Sequence, residues 1–111
     1  MNTLPYKIDA QDDGAGGWLS IQLDKSNLGF SPAETFSSVQ ISVTGLDGGS
    51  FDIMFKPRGG SEFLAFVIGA TELDAVLLDQ TFVFDAIRVD IFDAGASAAP
   101  KALVTFISRS F

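Results

Sequence analysis

The chain has 111 residues, 47% of them hydrophobic, with 14 acidic against 7 basic side chains and a formal charge of −7. That length suits one domain core, the apolar share excludes a disordered chain, and the acidity disfavours nucleic acid or an anionic membrane as partner. There is no Cys and no His, so disulfides, thiolate metal sites and every His-based triad are excluded as well.

Along the chain, the apolar residues recur almost everywhere at period two, the mark of half-buried strands. Residues 1–5 hold no basic stretch followed by an apolar run, so no signal peptide is expected. Residues 1–17 read as loop-like or as an interaction arm, with Tyr6-Lys7-Ile8 as a short strand at most and a flexible loop over 11–17. Residues 18–23 form a strand with Leu19, Ile21 and Leu23 on one face. Residues 27–35 are irregular, with one helical turn at Ser31-Pro32-Ala33-Glu34. Residues 38–44 alternate without error, placing Val39, Ile41 and Val43 together. Gly45-Leu46-Asp47-Gly48-Gly49 interrupts the pattern, and Phe51, Ile53 and Phe55 resume it opposite Asp52 and Lys56. This spacing predicts a β-hairpin with a glycine-rich loop.

Lys56-Pro57-Arg58-Gly59-Gly60 is a turn by its chemistry, since Pro presets φ and Gly supplies positive φ. A strand follows over 62–68. Residues 72–79 suit a helix or, at Val76-Leu77-Leu78, a short strand. A further strand lies within 82–92, where Ile87, Val89 and Ile91 oppose Arg88 and Asp90. After a small-residue loop over 93–100, a last strand over 102–111 runs to the chain end, where it is free to lie at a sheet edge. The longest apolar run, 63–68, is far too short to span a bilayer.

Seven or eight short strands punctuated by Gly and Pro predict an all-β fold over 1–111 as a single β domain. The expected architecture is an antiparallel β-sandwich, jelly-roll or Ig-like, with a small barrel as the alternative. No segment is long enough for a helical crossover, which rules out a parallel α/β sheet.

Sites of chemistry are scarce. Asp9, Gln11, Asp13 and Gly14 match the first half of a calcium loop, but its twelfth position, which needs a bidentate Glu, is Ser20. The pairs Asp74 with Asp79 and Asp90 with Asp93 are what fourteen acids on a small surface produce by chance. The glycine-rich loop at 45–49 lacks the Lys-Ser/Thr and the helix of a phosphate cradle. Ser61 and Lys56 have no third group to orient them. Trp18 follows two glycines, where it caps a core more often than it stacks on a sugar. No catalytic, cofactor or metal residues are assigned, and the chain reads as a non-enzyme without cofactors.

One feature exceeds what a core requires. A sandwich strand has one dry face and one wet face. In residues 62–68, Phe63, Ala65 and Val67 point one way and Leu64, Phe66 and Ile68 the other. Residues 81–84 and the last strand, with Leu103 and Ile107 opposite Val104 and Phe106, are two-sided too. Such strands predict a second buried surface against another subunit, with Phe63, Leu64, Phe66, Ile68, Phe82, Phe84, Phe106 and Phe111 as interface candidates.

Gly-Leu-Asp-Gly-Gly, then Phe-Lys-Pro-Arg-Gly-Gly, then Phe-Asp-Ala-Ile-Arg-Val-Asp-Ile, and an Ala/Gly/Ser-rich loop before Ala-Leu-Val-Thr-Phe-Ile-Ser-Arg, span residues 36–111 in a chain without Cys or His. In style this resembles the small structural proteins of tailed bacteriophage particles. The resemblance implies a virion protein assembled in the host cytoplasm: a capsid decoration (cement) protein, a head fibre or a tail component. It would act as a homo-oligomer that also contacts a capsid or tail protein, with no cofactor, nucleic acid or membrane. A carbohydrate-binding β-sandwich module is the alternative. It expects an exposed Trp18 and a monomer, where the virion reading expects a buried Trp18 and self-association.

Overall fold

A computed structural model of the protein describes residues 2–29, 38–78, 84–95 and 98–108. Eight strands and one helical turn follow in order: β1 (Asn2–Asp9), β2 (Ile21–Leu23), α1 (Lys25–Leu28), β3 (Ser38–Thr44), β4 (Ser50–Pro57), β5 (Leu64–Ala70), β6 (Val76–Leu78), β7 (Phe84–Phe92) and β8 (Lys101–Ser108). They make two four-stranded antiparallel sheets, in the orders β1-β8-β3-β6 and β2-β7-β4-β5. Period-two patterning decides the inward faces. Val39, Ile41 and Val43 of β3 and Ile87, Val89 and Ile91 of β7 all point into one shared core, which is filled by Phe51, Ile53, Leu78, Val104 and Phe106.

The pairing has a simple logic. β4 pairs with β5, β3 with β6, β2 with β7 and β1 with β8. The chain is therefore one long hairpin, doubled back around its tip at residues 58–63, with successive rungs laid alternately in the two sheets. The cross-links β4–β7 and β3–β8 then join the rungs into sheets. This is the strand order of a jelly roll, the first of the two sandwich types expected, and no barrel closes.

Several local expectations change. β3 and β4 were expected to pair as a hairpin, but they belong to different sheets. The loop between them carries Leu46, which is fully buried. Its carbonyl accepts from Gly49 N at 3.1 Å and from Gly95 N at 3.4 Å, and its N–H donates to Glu72 Oε1. Burying Leu46 draws the chain across the end of the sandwich, so the two equally amphipathic strands each find other partners. The true hairpin is β4–β5, closed by Gly60 N donating to Pro57 O at 2.9 Å.

The N-terminal arm is a full strand. β1 runs eight residues in register with β8, Asn2 opposite Ser108 through Asp9 opposite Lys101. β8, expected at an edge, lies between β1 and β3. The helical turn sits at Lys25–Leu28, capped by the Asp24 carboxylate accepting from Asn27 N at 2.9 Å and ended by Gly29 at φ 81°. The expected turn at 31–34 lies outside the described residues. Residues 76–78 form the strand rather than the helix.

Candidate interaction surface

β5 is an edge strand of one sheet and β6 an edge strand of the other, so the two meet along one side of the sandwich. The residues between them enclose a groove of about 450 Å³, lined by Phe66, Val67 and Ile68 from β5 and Val76 and Leu77 from β6. Large aliphatic side chains stand in water on these elements: Leu64 is 50% exposed, Ile68 65%, Leu77 53% and Leu73, in the connecting loop, 96%. Exposed large apolar side chains concentrated at one region of a monomer mark contact sites.

β5 departs from clean alternation for a physical reason. From Phe51 to Ile53 on β4 its partners step from Ala70 to Val67, and from Ile53 to Met54 they step from Val67 to Ala65. Each step leaves one extra residue on β5, and each is a bulge. Gly69, at φ 74°, lies in the first and donates to Asp52 Oδ1 at 2.9 Å. The bulges turn both Phe66 and Val67 partly inward, and the Phe66 ring meets Phe55 edge-on at 6.4 Å.

The other sequence candidates separate. Phe63 is half-buried on the outer face, with the Arg88 guanidinium 4.7 Å and the Lys56 ammonium 5.9 Å from its ring centre. Phe84 and Phe106 are core residues of this chain, which corrects their expected place at a subunit contact. The inward face of β8 belongs to the sandwich, and its backbone is paired on both sides. Its outer face keeps Leu103 and Ile107 half-buried. Phe82 and Phe111 lie outside the described residues. Sequence reasoning missed Leu73 and Leu77. Leu73 carried a signal, a bare Leu between Glu72 and Asp74 in a turn that has no core face.

Backbone pairing with another chain is discouraged at every edge. β2 and β6 are only three residues long, β5 is bulged twice, and β1 carries Pro5 and Lys7. A partner would therefore meet side chains rather than add a strand.

No catalytic arrangement forms among the described residues. Asp90 is held by Arg88 through two bonds, Nε to Oδ1 at 2.8 Å and Nη2 to Oδ2 at 2.9 Å, and it accepts from Ser20 Oγ at 2.6 Å. Asp74 accepts from Thr71 N at 2.8 Å. In the loop that matches half a calcium site, the carboxylates turn onto their own backbone. Asp12 Oδ1 accepts from Gly14 N at 2.7 Å, and Asp13 Oδ1 accepts from Ala15 N at 2.7 Å and Gly17 N at 2.9 Å. The Ala15 and Gly17 amides hold the Asp13 carboxyl below its ordinary value of 3.8. Among the described residues, no group of three acidic side chains gathers around a metal-sized space. Trp18 is half-buried against the core and bridges to Asp12, so it is neither the buried plug nor the exposed platform that the two readings expected. Among the described residues no helix is long and apolar enough to cross a membrane.

No protein-family model, no curated protein and no solved structure matches this chain.

Proposed function

We propose that this chain is a non-catalytic structural component of a bacteriophage virion, a capsid decoration (cement) or head-fibre protein or a tail component. Its work is contact: the β5–β6 side of the sandwich holds a second copy of the chain or a neighbouring capsid or tail protein. The observation that carries this reading is the run of exposed aliphatics Leu64, Ile68, Leu73 and Leu77 along β5, β6 and the loop between them, a larger group than the exposed Leu4 and Leu19 on the β1–β2 side, in an acidic domain. Leaving them in water costs free energy that a partner would recover, at about 25 cal/mol per Å² before the costs of association. The absence of Cys and His from the whole chain supports the non-catalytic part. The virion assignment rests on the resemblance in sequence style.

Self-association is the direct test. A contact of about 800 Å² per partner is the usual size of a stable interface. Copies charged −7 repel one another, and salt screens that repulsion, so association should strengthen as salt rises. Light scattering across concentration and salt, with the double variant Leu73→Asp/Leu77→Asp as control, should show a small oligomer that the variant loses. A chain that stays monomeric throughout, and that binds neither assembled capsids nor tails, rejects the reading.

A further inference from the structure

On the opposite side of the sandwich β1 and β2 face each other. β1 has eight residues and β2 three, so the inward residues of β1 are only partly covered. Tyr6 and Ile8 remain half-buried there, with the Tyr6 ring held edge-on against Phe106 at 5.7 Å. The mismatch leaves a groove of about 640 Å³, within the range of about 300–1,000 Å³ typical of small-molecule sites. Its apolar lining includes Tyr6, Ile8 and Leu28, and its polar lining includes Gln11, Gln22 and Asn27.

We infer that this groove is a binding site for a neutral, polyhydroxylated ligand, a short saccharide. The lining decides the class by its charges. Among the described residues it contains no Lys or Arg, so an anion meets no counter-charge there. Its one carboxylate among the described residues, Asp9, stands 3.5 Å from Lys101 Nζ, a counter-charge already in place, so a cation meets reduced attraction. A pure hydrocarbon would strip water from the Gln11 and Asn27 amides and give them nothing in return. The amides have capacity to spare. Asn27 Nδ2 donates to Gln22 O at 3.1 Å, which orients the Asn27 amide and leaves its Oδ1 as an acceptor. Gln11 makes only a long hydrogen bond, 3.5 Å to Asp9 O, whereas the Gln22 side chain lies between the buried Ile21 and Leu23 and across from Arg88, on the outer face of its sheet. A sugar ring has the same division, a C–H face for the Tyr6 and Leu28 side and hydroxyls that both donate and accept for the amides. Trp18 is outside this lining, so the site does not depend on it.

The test is an amide-shift NMR titration of the full chain with maltose, cellobiose, lactose and chitobiose. A blocked neutral peptide, acetyl-Ala-Gly-Ser-Ala-amide, serves as the rival probe. At least one disaccharide should shift the amides of β1, β2 and α1, and leave those of β5 and β6 unmoved, at concentrations of about ten millimolar, where millimolar binding reads clearly. Asn27→Ala and Gln11→Ala, each checked for native peak dispersion, should weaken that binding about three- to tenfold, the worth of one or two neutral hydrogen bonds. Leu73→Asp, on the far side, should leave it unchanged. The inference is overturned if no disaccharide moves these amides, if the peptide binds and the sugars do not, or if both the Asn27 and Gln11 variants bind as the parent does.

Discussion

A methyl group on Gly45 would meet the carbonyl oxygen of Ala99, and Gly45 already sits at φ 74°. The clash is backbone on backbone, and Ala99 N donates to Gly45 O at 3.0 Å across the same approach. Gly45→Ala should therefore cost about 2–4 kcal/mol in chemical denaturation, through positive φ and displacement of the loop at 93–100. Arg88 belongs to the same scale. It covers Phe63 and makes the paired bonds to Asp90, and both partners are mostly buried, at 28% and 14% exposure. Asp52 lies directly across from Asp90, so removing Arg88 leaves two carboxylates facing each other. Arg88→Ala should cost about 1–3 kcal/mol, whereas Lys101→Ala, at the exposed 3.5 Å pair with Asp9, should cost under about 1 kcal/mol. Asp13 carries a pH signature. Its carboxyl is held below 3.8, so the order it lends the loop is present above that value and is lost as pH falls through the lowered one. The Ala15 and Gly17 amide shifts should titrate below 3.8 in NMR. In Asp13→Asn, which keeps an acceptor oxygen without a titratable proton, that titration should vanish.

Among the elements, position in the doubled hairpin sets stability. β3, β4, β7 and β8 are paired on both sides, while β2 and β6 are three-residue edges. Hydrogen exchange should find the slowest amides in the four inner strands and the fastest strand amides in β2 and β6, because edge pairs open without breaking the core. Equal protection of β6 and β8 would contradict this ranking. Truncating Phe106 in β8 or Phe51 in β4 should cost about 3–5 kcal/mol each, as for any fully buried Phe.

At the scale of the whole molecule, two sides of one sandwich differ because their edges do. On the β5–β6 side the edge strands project Ile68 and Leu77 outward, beside the bare Leu73. On the β1–β2 side, unequal strand lengths leave a cleft floored by partly buried apolar groups. Substituting Leu73→Asp should leave the melting temperature almost unchanged, since 96% of the side chain is already in water, while weakening association. A melting-point drop of several degrees would show that Leu73 packs on a covered surface instead.

The fold class was legible in the residues alone. Period two over 38–44 and 84–92 names strands and their inward faces, and Val39, Ile41, Val43, Ile87, Val89 and Ile91 are all buried as the pattern requires. Alternation depends only on neighbours two residues apart, so one strand suffices to read it. Strand pairing does not depend on neighbours. β3 and β4 look like a hairpin from either side of their loop, yet they lie in opposite sheets, with Leu46 of the loop between them buried in the core. Of the two-sided strands, β8 keeps Leu103 and Ile107 half-buried on its outer face, while β5 keeps Leu64 and Ile68 in water. The groove between β1 and β2 combines residues 6–9 with residues 19–28. It lies between two strands in different sheets, which no local pattern records.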